Sequence, residues 1–204
     1  MARSAEGEAS TRTRILRKAV HLFAQTGYNG VSMRDIAKAV GISAAALYHH
    51  FPDKNTLYQE GVQFAVSNKL SEGLNSLSSP EDSAEARLEG FIASMVQNMG
   101  ADPDFRRLLQ REMLDGDEGR LKLLAKDIFA QPADVITELL AGVAPKCDPL
   151  MLLLTISGTV IHYYESAQMR RFFPGSGTEH DNPKYLVDHL THLLLHGIKK
   201  TPKD

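Results

Sequence analysis

The sequence predicts an all-α chain, and three observations point to it. Capping residues stand directly before prolines at Ser79-Pro80, Asp102-Pro103, Asp148-Pro149 and Asn182-Pro183. That order opens a helix, because a side-chain acceptor is followed by a residue with fixed φ and no N–H to satisfy. Glycines stand where helices should stop, at Gly27, Gly41, Gly100, Gly116, Gly142 and Gly175. No sustained period-two alternation argues for strands.

About nine helices follow. The first covers roughly residues 11–26, with Ile15, Leu16, Ala19, Val20, Leu22 and Phe23 as its apolar stripe. The second and third are short, 33–40 and 44–50, and the fourth is long, from about 53 to 77. The fifth and sixth span about 81–99 and 103–114. The seventh, about 117–141, is expected to kink at Pro132, whose missing N–H breaks the ladder. The eighth runs about 149–173 and the ninth about 183–200, with a Gly/Ser-containing loop at 174–181 between them. This pattern divides into a flexible arm (1–10), a three-helix head (11–54) and a larger helical body (55–204).

Composition fits an ordinary globular chain: of 204 residues, 43% are hydrophobic and 24% charged. The apolar run at 150–154 is far too short for a bilayer span, and residues 1–10 lack the apolar stretch of a signal peptide, so no membrane partner is expected. The lone Cys147 cannot form an internal disulfide, which fits a cytoplasmic location. The net charge of −2 hides an asymmetry. Between residues 9 and 54, seven basic side chains (Arg12, Arg14, Arg17, Lys18, Arg34, Lys38, Lys54) face only Asp35 and Asp53, whereas residues 55–204 carry 15 basic and 21 acidic ones. A basic head on an acidic body points to a polyanion at one end.

Residues 33–51 carry the strongest chemistry. Ser32 can cap the second helix, with Asp35 in the reciprocal position of a capping box. Ala37 is small where two helices must cross, and Gly41 supplies the positive φ of a sharp turn. Ile36, Val40, Ile42 and Leu47 then point inward, and the third helix docks by Leu47 with its opposite face outward. Such a helix-turn-helix places that face in the major groove of double-stranded DNA. Its readers are Ser43, Ala44, Ala45 and His49, with alanine methyls facing thymine methyls. Tyr48 stands beside them, and Thr11, Arg12, Arg14, Ser32, Arg34 and Lys54 surround them as groups that hold phosphates or helix ends.

The stretch 15–58, with Ala24, Gly27, Tyr28, Ser32, Ile36, Ala37, Gly41, Leu47, Tyr48, Phe51, Lys54 and Leu57, resembles the N-terminal signature of TetR-family repressors. The order Leu-Tyr-His-His-Phe-Pro-Asp-Lys at 47–54 is similar to that family's ending of the recognition helix. The resemblance implies a homodimer, a palindromic operator, a ligand chamber in the body, and phosphate contacts by Tyr48 and Lys54.

Beyond residue 77 the signals thin. The eighth helix is apolar almost all round from 150 to 164, and the ninth offers Leu186, Leu190, Leu193, Leu194 and Ile198. Two such helices from each chain make a four-helix dimer interface. Inward candidates for a small-molecule chamber are Phe64, Asn68, Phe91, Met95, Met99, Met113 and Phe129, with His162 and Tyr163 as polar handles. His189, His192 and His196 share one helical face and could supply ligands to a divalent metal, with Asp188 or His180 nearby. Such spacing alone does not make a site without closing ligands and an oriented second shell, so the face reads as a polar stripe at the edge of the dimer interface and no metal or other cofactor is expected. No nucleophile turn, Gly-rich phosphate loop or metal-ligand motif indicates an enzyme. The sequence thus reads as a homodimeric repressor released by a small-molecule inducer. The alternative is a DNA-binding regulator acting through a protein partner without an inducer.

Overall fold

The structure, a computed structural model, describes residues 2–77 and 83–197, with the side chains of 2–9, 67–77, 127, 128, 131, 132 and 143 outside the description. The expected Ser79-Pro80 cap and the end of the ninth helix beyond residue 197, including Ile198, therefore lie outside the described residues. The described residues form eleven α-helices, one π turn and one 3₁₀ turn, with no strand. The chain divides into two compact units, Met1–Lys69 with Pro103–Ile128, and Leu70–Asp102 with Phe129–Asp204.

The first unit holds α1 (Ala2–Thr26), α2 (Met33–Val40), α3 (Ala44–His50), the start of α4 (Lys54–Leu77), α6 (Pro103–Asp115), α7 (Glu118–Leu123) and the π turn Leu124–Ile128. Residues expected as an arm continue α1, which is helical from Ala2. Ile15, Ala19, Phe23, Ile36, Leu47, Phe51 and Leu57 are buried, so the predicted stripe of the first helix and the turn residues meet as one core. Helix α6 belongs here as well, although residues 103–128 follow the head only after some fifty intervening positions. It packs on α1, and Phe105, Leu108, Leu109 and Glu112 are its buried residues. Arg111 fixes the contact, its Nε donating to the Ala24 carbonyl at 2.8 Å and its Nη2 to that of Gln25. These are end-of-helix carbonyls that α1 itself leaves without partners.

The second unit holds α5 (Ala84–Ala101), α8 (Ala130–Val143), α9 (Pro149–Glu165), α10 (Ala167–Arg170), a 3₁₀ turn (Thr178–Asp181) and α11 (Pro183–His196). The predicted caps close as expected: the Asp148 carboxylate accepts from the N–H groups of Leu150 and Met151, and the Asn182 side-chain amide oxygen from that of Lys184. Leu88, Ile92, Val96, Leu140, Ile156, Val160 and Leu190 form its core. Gly100 does not end α5, which runs on to Ala101. The Tyr164 hydroxyl donates to the Val96 carbonyl at 2.7 Å, and a Cβ at Gly100 would lie 2.6 Å from the Tyr164 hydroxyl oxygen.

Two predicted long helices are divided. The seventh breaks into α7, the π turn and α8. Pro132 is not at the break; it is the third residue of α8, where a helix needs no N–H donor. The eighth stops at Glu165, and α10 follows after Ser166. Arg170 holds this turn, donating to the Tyr163 carbonyl at 2.6 Å and to Asp181 at 3.0 Å.

Candidate nucleic-acid interface

Helices α2 and α3 are set by local chemistry. The Ser32 hydroxyl accepts from the Asp35 N–H at 3.2 Å, while the Asp35 carboxylate accepts from the Ser32 N–H at 2.9 Å. That reciprocal box holds the Asp35 carboxyl below its ordinary value, the Ser32 hydroxyl contributing most. Gly41 then turns the chain at φ +79°, its N–H donating to the carbonyls of Ala37 and Lys38. The Ser43 hydroxyl accepts from the Ala46 N–H at 3.1 Å and caps α3. Asp53 does the same for α4, accepting from the Thr56 N–H at 2.7 Å, a bond that lowers its carboxyl too.

Helix α3 fully buries Leu47 alone and leaves most of its remaining surface to solvent, with Ala44 and His50 partly covered. Ala45, Ala46, Tyr48 and His49 are exposed, Tyr48 by 51%. Ala46 completes the outward face that the sequence reading drew without it. Counting outward from a single docking residue at Leu47 finds it, since positions 45, 46, 48 and 49 all diverge from the buried line. The Ser32 hydroxyl is spent in its cap, accepting from the Asp35 N–H and donating to the Asp35 carboxylate at 2.5 Å, whereas the Ser43 hydroxyl, which accepts from Ala46, keeps its proton for a further acceptor.

The cations differ sharply in freedom. Arg14 and Arg34 are exposed. Arg12 is half-exposed but tied to the head: Nη1 donates to the His50 carbonyl at 2.7 Å, Nη2 pairs with Glu60, and the guanidinium lies 4.3 Å from the Phe51 ring centroid. It ties α1 to the end of α3 and to α4. Lys54 is intermediate, its ammonium 4.2 Å from the Tyr28 ring centroid. Burial, and after it the charge of Arg120, draws the Lys54 amine below its ordinary value.

Residues 15–60 match the family described as "Bacterial regulatory proteins, tetR family". By that match the chain carries a tetR-family DNA-binding head. It is a DNA-binding transcriptional regulator. Nucleoid occlusion factor SlmA of Marinomonas sp. (strain MWYL1) is 28% identical over 167 residues, 76% of this chain and 83% of that protein. HTH-type transcriptional regulator AcrR of Shigella flexneri is 44% identical over 69 residues, which span 33% of this chain and only 32% of AcrR. In fold, the chain is similar to the regulator FadR from Bacillus subtilis, solved in complex with stearoyl-CoA. That likeness has a TM-score of 0.72 at 16% identity and covers 92% of this chain and 99% of that one.

The expected chamber residues of this chain fall in both units. Phe91 is part of the second unit's core, with Met95, Met99 and Tyr163 packed against it. Phe129, in the same unit, is partly buried, and His162 is exposed. Phe64, partly buried, and Met113 belong to the first unit; the Asn68 side chain lies outside the described residues. Met113 does not face inward but is 67% exposed, because Glu112 takes the inward position beside it. His189, His192 and His196 are exposed, the last two with ring centroids 4.8 Å apart. Among the described residues no group of three or more His, Cys, Asp or Glu is arranged to hold a metal ion. No described helix is long and apolar enough to cross a membrane.

Proposed function

We propose that this regulator binds a palindromic operator as a homodimer, represses transcription from it, and is released when a small molecule occupies the body. The observation that carries the reading is the capped, solvent-facing α3, which fully buries only Leu47. A groove-reading helix needs that arrangement: one side anchored, the other free to meet base edges.

Two half-sites need two reading heads, and α9 supports a homodimer. Leu150, Met151 and Leu154 are all exposed on it, and Thr155, Gly158 and His162 continue the outward face. An unpartnered apolar stripe of this length is costly in water and is relieved by a second copy presenting the same surface. Tyr185, His189 and His192 on α11 are exposed as well and give such an interface a polar rim. A small-molecule ligand is supported by Met95, Met99 and Tyr163, packed against the core that holds Phe91, adaptable side chains with one polar handle. The stearoyl-CoA held by Bacillus subtilis FadR makes a long-chain acyl thioester the first compound to try.

Selection from random duplexes, followed by sedimentation of the complex, tests the reading. Enrichment of an inverted repeat carrying two chains supports it; binding of all duplexes alike by a single chain contradicts it. A thermal-shift screen then begins with stearoyl-CoA, and a compound that raises the melting temperature should also release the duplex. A second reading, a DNA-bound regulator answering to a protein partner without an inducer, is favoured by exposed Met169, Phe172 and Phe173 beside Arg171. Loss of regulation on replacing these residues, with inducer release intact, would support that reading.

A further inference from the structure

Helix α7 contributes one side chain to the base of the DNA-binding head. Arg120 enters already matched in charge: its Nε lies 2.8 Å from the Glu112 carboxylate, and Asp115 and Asp117 lie at 3.4 and 3.6 Å. Glu112 is 2% exposed, so this pair is held inside the unit rather than on its surface. The guanidinium then lies 4.7 Å from the centroid of the Tyr28 ring, the same ring that carries the Lys54 ammonium at 4.2 Å. Tyr28 is itself fixed edge-on against Tyr58, 5.0 Å away, and Tyr58 against Phe23. The ring is therefore a rigid spacer with an α7 cation and an α4 cation resting on it.

Lys54 stands at the first residue of α4, directly after the recognition helix and its Phe51 cap. Two like charges over one ring are tolerable only because three carboxylates hold Arg120 and the π face attracts both. Withdrawing Arg120 takes away one of the contacts that hold the Tyr28 ring, so the Lys54 ammonium that rests on this ring loses its fixed place. The chain also passes into the second unit shortly after Arg120, through the π turn Leu124–Ile128.

We propose that Arg120 is a positioning residue for DNA binding, which sets the Lys54 ammonium through the shared Tyr28 ring. Displacement of α7 would then lower phosphate affinity without any change in the reading face. This rests on the DNA-binding reading above for its functional consequence, but not for the geometric link itself.

A double-mutant cycle in the full-length protein tests it, using a random-sequence duplex at fixed salt. Arg120→Met should weaken binding roughly three- to tenfold in the wild-type background. It should have no further effect in Lys54→Ala, because the residue it acts through is gone. Tyr28→Phe keeps the ring and should bind like wild type, whereas Tyr28→Leu should match Arg120→Met. A merely structural role would weaken both backgrounds equally, and that additivity would overturn the proposal, as would unchanged binding by Arg120→Met. The melting curve of each variant identifies any that fail to fold, and Arg120→Lys, which keeps the pair with Glu112, serves in their place with a smaller loss. The amine of Lys54, labelled for NMR titration, gives a readout independent of DNA. Loss of Arg120 should move its titration upward, and an unmoved titration counts against the link. Failure of wild type to bind any duplex would instead sink the functional reading, leaving the titration to judge the geometry.

Discussion

Glu112 places a carboxylate in the interior of the first unit, and its hydrogen bond to Arg120 makes that position tolerable. Removing one member of such a pair strands the other. Glu112→Ala is therefore expected to destabilise the protein by about 3 kcal/mol in urea unfolding; a loss below about 1 kcal/mol would show that water already shares the site. Nothing in the sequence marks this pair. Two charged residues eight positions apart on separate helices read as solvated surface, and burial of one depends on how α6 meets α1. Arg12 was legible as a cation but not in its role, because its partners stand 38 and 48 positions away. Asp35 was legible, since the two members of its capping box are three residues apart; the cap that Asp53 makes on the Thr56 N–H has the same spacing but was not read from the sequence. Both carboxyls titrate below their ordinary value of 3.8. Their contribution is thus complete above that value and disappears as pH falls through the lowered ones. Circular dichroism should show constant helix content from pH 7 to 5 and a decline only below about pH 4; a decline already at pH 5 would remove these two carboxylates as its cause.

At the scale of elements, glycines at different backbone angles give predictions of opposite sign. Gly41 turns between α2 and α3 at φ +79° with open space around its α-carbon. Gly41→Ala therefore meets no neighbour and costs only the left-handed strain, about 1–2 kcal/mol. Gly142 lies inside α8, again with nothing near it, so Gly142→Ala should stabilise by about 0.5–1 kcal/mol. Thermal melts of the two variants, shifted in opposite directions, check both; a shared direction would mean that neither backbone assignment governs. The helix-turn-helix was legible because cap, small residue, glycine and docking leucine all act within sixteen residues. The division of the seventh helix was not. Its π turn, Leu124–Ile128, carries ordinary helix-forming residues, while Pro132, the one local breaker, falls harmlessly in a first turn.

At the scale of the molecule, the tetR-family head joins an exposed reading helix to a body whose α9 presents Leu150, Met151 and Leu154 to solvent. Leu154→Glu should leave the helix content of the chain intact, since this side chain is 54% exposed, yet yield monomers in sedimentation and weaken operator binding at least tenfold. Dimers that persist with that charge in place would move the interface elsewhere. The all-α class and the basic head were readable from capping, punctuation and charge. The inclusion of residues 103–128 in the head unit was not, because it depends on Arg111 reaching the end of α1. The central claim is that α3 enters the major groove by its Ala45, Ala46 and His49 face. Cleavage from that face tests it most directly: a DNA-cutting reagent attached at Ala46→Cys in a Cys147→Ser background, which removes the exposed native thiol. Two clusters of cuts, each in the major groove of one half-site and about ten base pairs or a small multiple apart, are predicted. Tight binding with cuts scattered along the duplex, or with none, would contradict it.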